Sequence, residues 1–109
     1  MAFNIATTRY FKHTLNGLPG GPDGATQSMD VTYRVLDDGE TKDVNLLDTE
    51  SARDFLRSAV FDIADLTDID DKPIPFSADL LDQLTTALDL RQAMVRGYGI
   101  GLAKAASGN

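Results

Sequence analysis

Apolar and polar side chains alternate between residues 28 and 36. Met29, Val31, Tyr33 and Val35 stand against Ser28, Asp30, Thr32 and Arg34. A period of two built from β-branched and aromatic residues predicts a half-buried strand. A weaker strand is expected over residues 9–15, where Phe11 and Leu15 share a face with His13. Residues 16–27 between them include the turn formers from Pro19 to Asp23 and read as a long loop. The pair forms a two-stranded antiparallel unit, closed by a turn at Asp37-Asp38-Gly39. Such a unit is marginal alone and has to lean on something else.

After residue 40 the period becomes helical. Ala52, Phe55, Leu56, Ala59, Val60 and Ile63 fall on one helix face, which predicts a helix over about 50–65 started by Thr49 or Ser51. The stretch from Thr67 to Pro75 is a connector, because Pro73 and Pro75 lack amide donors and bar helix at the residue before them. Ser77 reads as an N-cap for a stripe of Leu80, Leu81, Leu84 and Leu88, with Phe76 placed to staple onto Leu81. A further stripe is Leu90, Met94, Tyr98, Leu102 and Ala105. Leu88 and Leu90 are two apart, so the stripes belong to separate helices with a bend near Asp89. Ser107-Gly-Asn is expected to fray. The fold class is therefore α+β: an N-terminal two-stranded antiparallel β unit packed on about three C-terminal α-helices. One domain covers 1–109, with a strand and loop region over 1–40 and a helical region over 41–109.

Composition narrows the function. Of 109 residues, 17 are acidic and 10 basic, a formal charge of −7. That balance argues against nucleic acid as a partner. There is no cysteine and one histidine, so no thiolate site or histidine pair is available, and neither a cofactor nor a metal is called for. No apolar run approaches the roughly 20 residues that cross a bilayer, and the N-terminus lacks a signal-peptide pattern. The expectation is a cytoplasmic binding protein with no membrane partner, not an enzyme.

Three motifs invite chemistry. Gly97, Gly99 and Gly101 spell G-x-G-x-G, but no strand precedes them, so close packing of a soft or kinked helix is the better reading. Asp62, Asp65, Asp68, Asp70 and Asp71 are clustered, but Lys72 stands where a calcium loop needs its third ligand. A solvated turn capped by an Asp side chain is preferred. His13, Asp30 and a serine form no recognisable nucleophile arrangement. The apolar side chains Phe76, Leu80, Leu81, Leu84, Met94 and Tyr98 are candidate partner contacts, one side of the short helix facing the core and the other a client helix. The competing reading makes all of them core. If Leu81 faces a client, Leu81→Asp stays folded and loses the client.

The run from Phe55 to Ser77 resembles the central signature of tail assembly chaperones of long-tailed bacteriophages. In that family an apolar helix is followed by an acidic turn and a Lys-Pro-apolar-Pro-Phe-Ser run, here Lys72, Pro73, Pro75, Phe76 and Ser77. Leu80, Leu84, Tyr98 and the final Gly108-Asn109 also match. So do the Phe3-Asn-Ile-Ala-Thr-Thr start and the strand from Asp30 to Arg34. Where relatives carry Gly before Lys-Pro this chain has Asp71, a residue that accepts a left-handed turn better than most. Where they carry Trp after the first apolar helix it has Phe61 and Asp62. The resemblance implies the shorter, non-frameshifted form of such a chaperone. Its partners would be the tape measure protein, the tail tube protein and further copies of itself. It would act in the host bacterial cytoplasm and be absent from the mature virion. The alternative is a small acidic phage-encoded protein that mimics DNA or inhibits a host factor, which would need its carboxylates in one contiguous stripe.

Overall fold

The computed structural model describes residues 3, 7–20 and 23–107. The N-terminal start, the middle of the first loop and the Gly108-Asn109 end invoked above therefore lie partly or wholly outside the described residues. The elements are β1 (Tyr10–Pro19), β2 (Thr26–Arg34), α1 (Asp38–Thr41), α2 (Thr49–Ala59), β3 (Val60–Ala64), α3 (Ala78–Leu84) and α4 (Leu88–Ala106). The class is α+β, but the sheet has three strands in the order β1-β2-β3, both pairs antiparallel.

The hairpin is longer than the alternation indicated. β1 and β2 pair from Tyr10 opposite Arg34 to Leu15 opposite Met29, and again from Leu18 opposite Gln27 to Pro19 opposite Thr26. β1 has one more residue than β2 in the gap. Gly17, at φ 70°, supplies the left-handed position of this bulge. The strands thus extend into what read as a loop over 16–27, β1 to Pro19 and β2 from Thr26. Pro19 is tolerated because it ends an edge strand. Beyond β2, Asp37 caps the single turn of α1: its carboxylate accepts from Glu40 N and the Glu40 carboxylate accepts from Asp37 N.

The expected helix over 50–65 is corrected at both ends. Asp48, not Thr49 or Ser51, is the N-cap, its side chain accepting from Ser51 N at 2.9 Å. At the other end α2 stops at Ala59 and the chain passes directly into β3. The pairing explains the mistaken period. Val60 faces Tyr33 and Asp62 faces Thr32, so Phe61 is a bulged residue. Val60 and Ile63, three apart, both end up buried, as they would on a helix. The third strand is therefore hidden inside a helical stripe. Asp65, at φ 57°, turns the chain off the sheet.

One face of the sheet is covered. Phe11, Leu15, Val31, Tyr33, Val60 and Ile63 pack with Phe55, Leu56 and Ala59 of α2 and Met94 of α4. Tyr33 is fully buried, and its hydroxyl donates to Met94 O at 2.7 Å. Its ring is one of four that interlock, with centroids 5.2 Å apart for Phe11–Tyr33 and for Phe55–Tyr98. Tyr98 stands edge-on to Tyr33 at 5.7 Å.

α4 runs over this face as one continuous helix of 19 residues, and the glycine triplet lies inside it. A Cβ on Gly97 would sit 2.5 Å from Leu15 Cδ2 and 2.8 Å from Tyr33 Oη. On Gly101 it would sit 2.8 Å from both Phe11 Cε2 and His13 Cβ. Those two glycines bring the helix onto β1, whereas Gly99 has open space around it. Ser107 ends the helix as its C-cap.

Gly97→Ala is expected to destabilise by about 1–3 kcal/mol through overpacking. Gly99→Ala should stabilise by up to about 1 kcal/mol through helix propensity; urea unfolding of the two variants checks the contrast. Burial pushes the Tyr33 phenol above its ordinary value of 10.0. A raised value in the fold means that this stability is complete below about pH 10 and is lost as the pH rises further. Tyr33→Phe is expected to cost about 1 kcal/mol at neutral pH. Its urea midpoint should also fall less than that of the parent between about pH 8 and 11.

Candidate functional site

The connector is built by local chemistry. Asp68 Oδ1 accepts from Asp70 N at 2.8 Å and from Lys72 N at 3.0 Å. Ile74 N donates to Leu66 O at 2.8 Å, and Thr67 bridges to Pro73. Asp71 takes the left-handed position at φ 59°. The acidic run is thus a small hairpin held by an Asp side chain. Among the described residues no group of three His, Cys, Asp or Glu is placed to hold a metal ion.

Ser77 then caps α3, its hydroxyl accepting from Leu80 N at 3.1 Å. With seven residues α3 has little stability of its own. Arginines of α2 fix it. Arg57 Nε donates to Asp82 at 2.9 Å, and the guanidinium also pairs with Asp54. Arg53 donates to Asp82 O at 3.0 Å and to Thr85 Oγ1 at 3.3 Å. Thr85 is buried and donates to Leu81 O at 2.9 Å, and Arg91 of α4 donates to Thr85 O at 2.9 Å. The carbonyl end of α3 is therefore satisfied by a threonine and two guanidinium groups, which also suit the negative end of a helix.

That anchoring sorts the candidate contact residues. Leu81 is 3% exposed and Met94 fully buried, so both are core and their side chains are out of reach of a partner. Tyr98 is half-buried in the ring cluster, and its hydroxyl accepts from Leu36 N at 2.9 Å. Phe76, Leu80 and Leu84 remain half-buried at the surface. Leu88, placed by sequence in the α3 stripe, begins α4 and is exposed.

Of these, Leu84 lines an open cleft of about 600 Å3 between the closed end of the hairpin, the chain leaving β3 and the start of α4. Leu18 and Met29 come from the hairpin, Leu66 from the connector and Leu90 from α4. Leu18 was hidden in the supposed loop. A leucine between Gly17 and Pro19 was the available signal, since a solvated loop has no use for it. Leu66 carried none, standing alone among acidic residues.

His13 is paired with Val31 and Thr14 with Asp30, so His13 and Asp30 project from opposite faces of the sheet. The Asp30 carboxylate accepts from Thr14 Oγ1 at 2.7 Å instead. Among the described residues no helix is long and apolar enough to cross a membrane. No protein-family model, curated protein or solved structure matches the chain.

Leu81→Asp is now expected to unfold the protein, because it buries a carboxylate without a partner. Leu81→Ala should cost about 2–5 kcal/mol. The half-exposed Leu84→Ala should cost about 1 kcal/mol. Equilibrium urea unfolding of the alanine pair, with circular dichroism of Leu81→Asp, checks the division between core and surface.

Proposed function

We propose that the chain is a non-catalytic tail assembly chaperone of a long-tailed bacteriophage or prophage. In this reading it holds an apolar segment of the tape measure protein in solution and helps recruit tail tube subunits. The observation that carries the reading is the open cleft at Leu18, Met29, Leu66, Leu84 and Leu90. Four separate segments bring apolar side chains together there, Leu18 buried and Met29, Leu66, Leu84 and Leu90 half-buried. The parts of these side chains that the domain leaves uncovered form a surface that a helix of a client with apolar residues on one face can fill. Its rim is polar, with Gln27, Ser28, Asp65 and Thr67. That frame suits a client of variable sequence, because it fixes little beyond the apolar stripe.

The Lys72-to-Ser77 run supports the same reading by what it does here. It closes the acidic hairpin, seats Phe76 on the core and caps α3, so it positions one wall of the cleft. The carboxylates also fit a chaperone better than a DNA mimic. Asp37, Asp48 and Asp68 hold turns and helix starts, while Glu40, Glu50, Asp54 and Asp82 pair with arginines of the same chain. Arg34 holds the Glu40 carboxyl below its ordinary range by hydrogen bonding.

The test is co-expression with an apolar fragment of a tape measure protein from a long-tailed bacteriophage. The parent chain is expected to keep the fragment in the soluble fraction. Leu84→Ser with Leu90→Ser, folded by circular dichroism, is expected to lose most of that effect. A folded double variant that solubilises the fragment as well as the parent removes the cleft from the account. A parent chain that leaves the fragment insoluble removes the function.

A further inference from the structure

β1 is an edge of the sheet, and among the described residues no strand pairs with its outer side. Val35 N donates to Arg9 O at 2.9 Å, which fixes the phase of the ladder. In an antiparallel pair, residues that bond across alternate with residues that do not. Phe11, His13 and Leu15 therefore turn their amides and carbonyls to β2, opposite Tyr33, Val31 and Met29. Tyr10, Lys12 and Thr14 turn theirs to the free edge. Such a row of donors and acceptors is a template for one more strand.

α4 walls this edge. It runs antiparallel to β1, since Gly97 approaches Leu15 and Gly101 approaches Phe11. Tyr98 stands on the side of α4 that faces Tyr33 of β2. Arg96, Ile100 and Lys104, each one turn from the next, line the other side along β1. With His13, Thr14 and Asn16 they border an open groove of about 320 Å3 to which no carboxylate belongs. Arg96 and Lys104 are exposed, and Ile100 is 50% exposed. Among the described residues neither Arg96 nor Lys104 pairs with a carboxylate, whereas Arg34, Arg53 and Arg57 do. Asp30, opposite Thr14, projects from the other face of the sheet and is engaged by Thr14 Oγ1. On a chain of net charge −7, this edge strand is bordered by an apolar side chain between two uncompensated positive ones.

We infer that the β1 edge takes an extended segment of another protein as a further strand, with an apolar side chain on Ile100 and carboxylates toward Arg96 and Lys104. The spacing sets the pattern. From Arg96 to Lys104 the helix rises about 12 Å, close to the span of four strand residues at about 3.3 Å each. The segment therefore reads acidic-x-apolar-x-acidic, a pattern that is the same in either strand direction. β1 carries no acidic residue, so the β1 edge of a second copy does not supply it. The surface includes neither Leu84 nor Leu90, and the inference stands without the client reading.

The probe is the capped peptide Thr-Glu-Thr-Val-Thr-Glu-Thr, titrated into the isotope-labelled full chain at low salt, where exposed ion pairs are least screened. Binding is expected below about 1 mM. Saturable resonance shifts should appear at Lys12, Thr14 and from Arg96 to Lys104, and exchange of the Lys12 and Thr14 amides should slow. Arg96→Glu with Lys104→Glu, both at exposed positions, should keep the circular dichroism and weaken binding by about tenfold or more. A peptide with lysine in place of both glutamates should bind that variant and not the parent. No binding up to about 1 mM overturns the proposal. So do shifts confined to another surface, unchanged exchange at Lys12 and Thr14, a double variant that binds the glutamate peptide as the parent does, or a lysine peptide that fails on the variant. Exchange at these amides that slows with protein concentration alone gives the edge to a second copy and also overturns it.

Discussion

The close approach of α4 to β1 and the Tyr33 ring is the contact on which the rest of the structure depends. It needs a helix face without side chains, and Gly97 and Gly101 provide it. The same stretch of α4 presents the Met94 carbonyl, 2.7 Å from the Tyr33 hydroxyl that would otherwise be a buried donor without a partner. Helix-weakening residues are thus placed where packing returns more than propensity takes away. Because α4 is seated there, its first turn reaches the closed end of the hairpin, and Leu90 can share a cleft with Leu18 and Met29.

The second constraint is the direct passage from α2 into β3. No linker separates them, so the helix is oriented by the strand that follows it. The arginines on α2 then hold α3 by its carbonyl end, a short helix that would not persist alone. The sheet, α2, α3 and α4 thereby become one packed unit with one inner face. Some of the apolar residues that this unit does not bury completely are grouped at the cleft.

Much of this was readable in the residues, and the misses have physical causes. The alternation of Met29 to Val35 and the Ser77 cap are local, and the structure follows them closely; the last two helices are separate as expected, but the break falls at Thr85–Ala87 and not near Asp89. β3 was unreadable because a bulge at Phe61 gave Val60 and Ile63 a spacing of three, which fits a helix as well. The cleft was unreadable because it is made of single residues from distant segments. The partner-contact reading of the α3 and α4 stripes failed at Leu81 and Met94. Periodicity shows that a helix has an apolar face, but not how much of that face its own protein covers. Asp71 was read correctly for a local reason: a left-handed turn position was needed there, and Asp adopts it at φ 59°.

The most direct test of the central claim is hydrogen exchange of the chain alone and in complex with a co-purified apolar fragment of the tape measure protein. The account predicts that the client slows exchange in the segments that wall the cleft: the closed end of the β1–β2 hairpin, the Asp65–Thr67 stretch and the start of α4. Protection confined to other surfaces, with those segments exchanging as they do in the free chain, would contradict it.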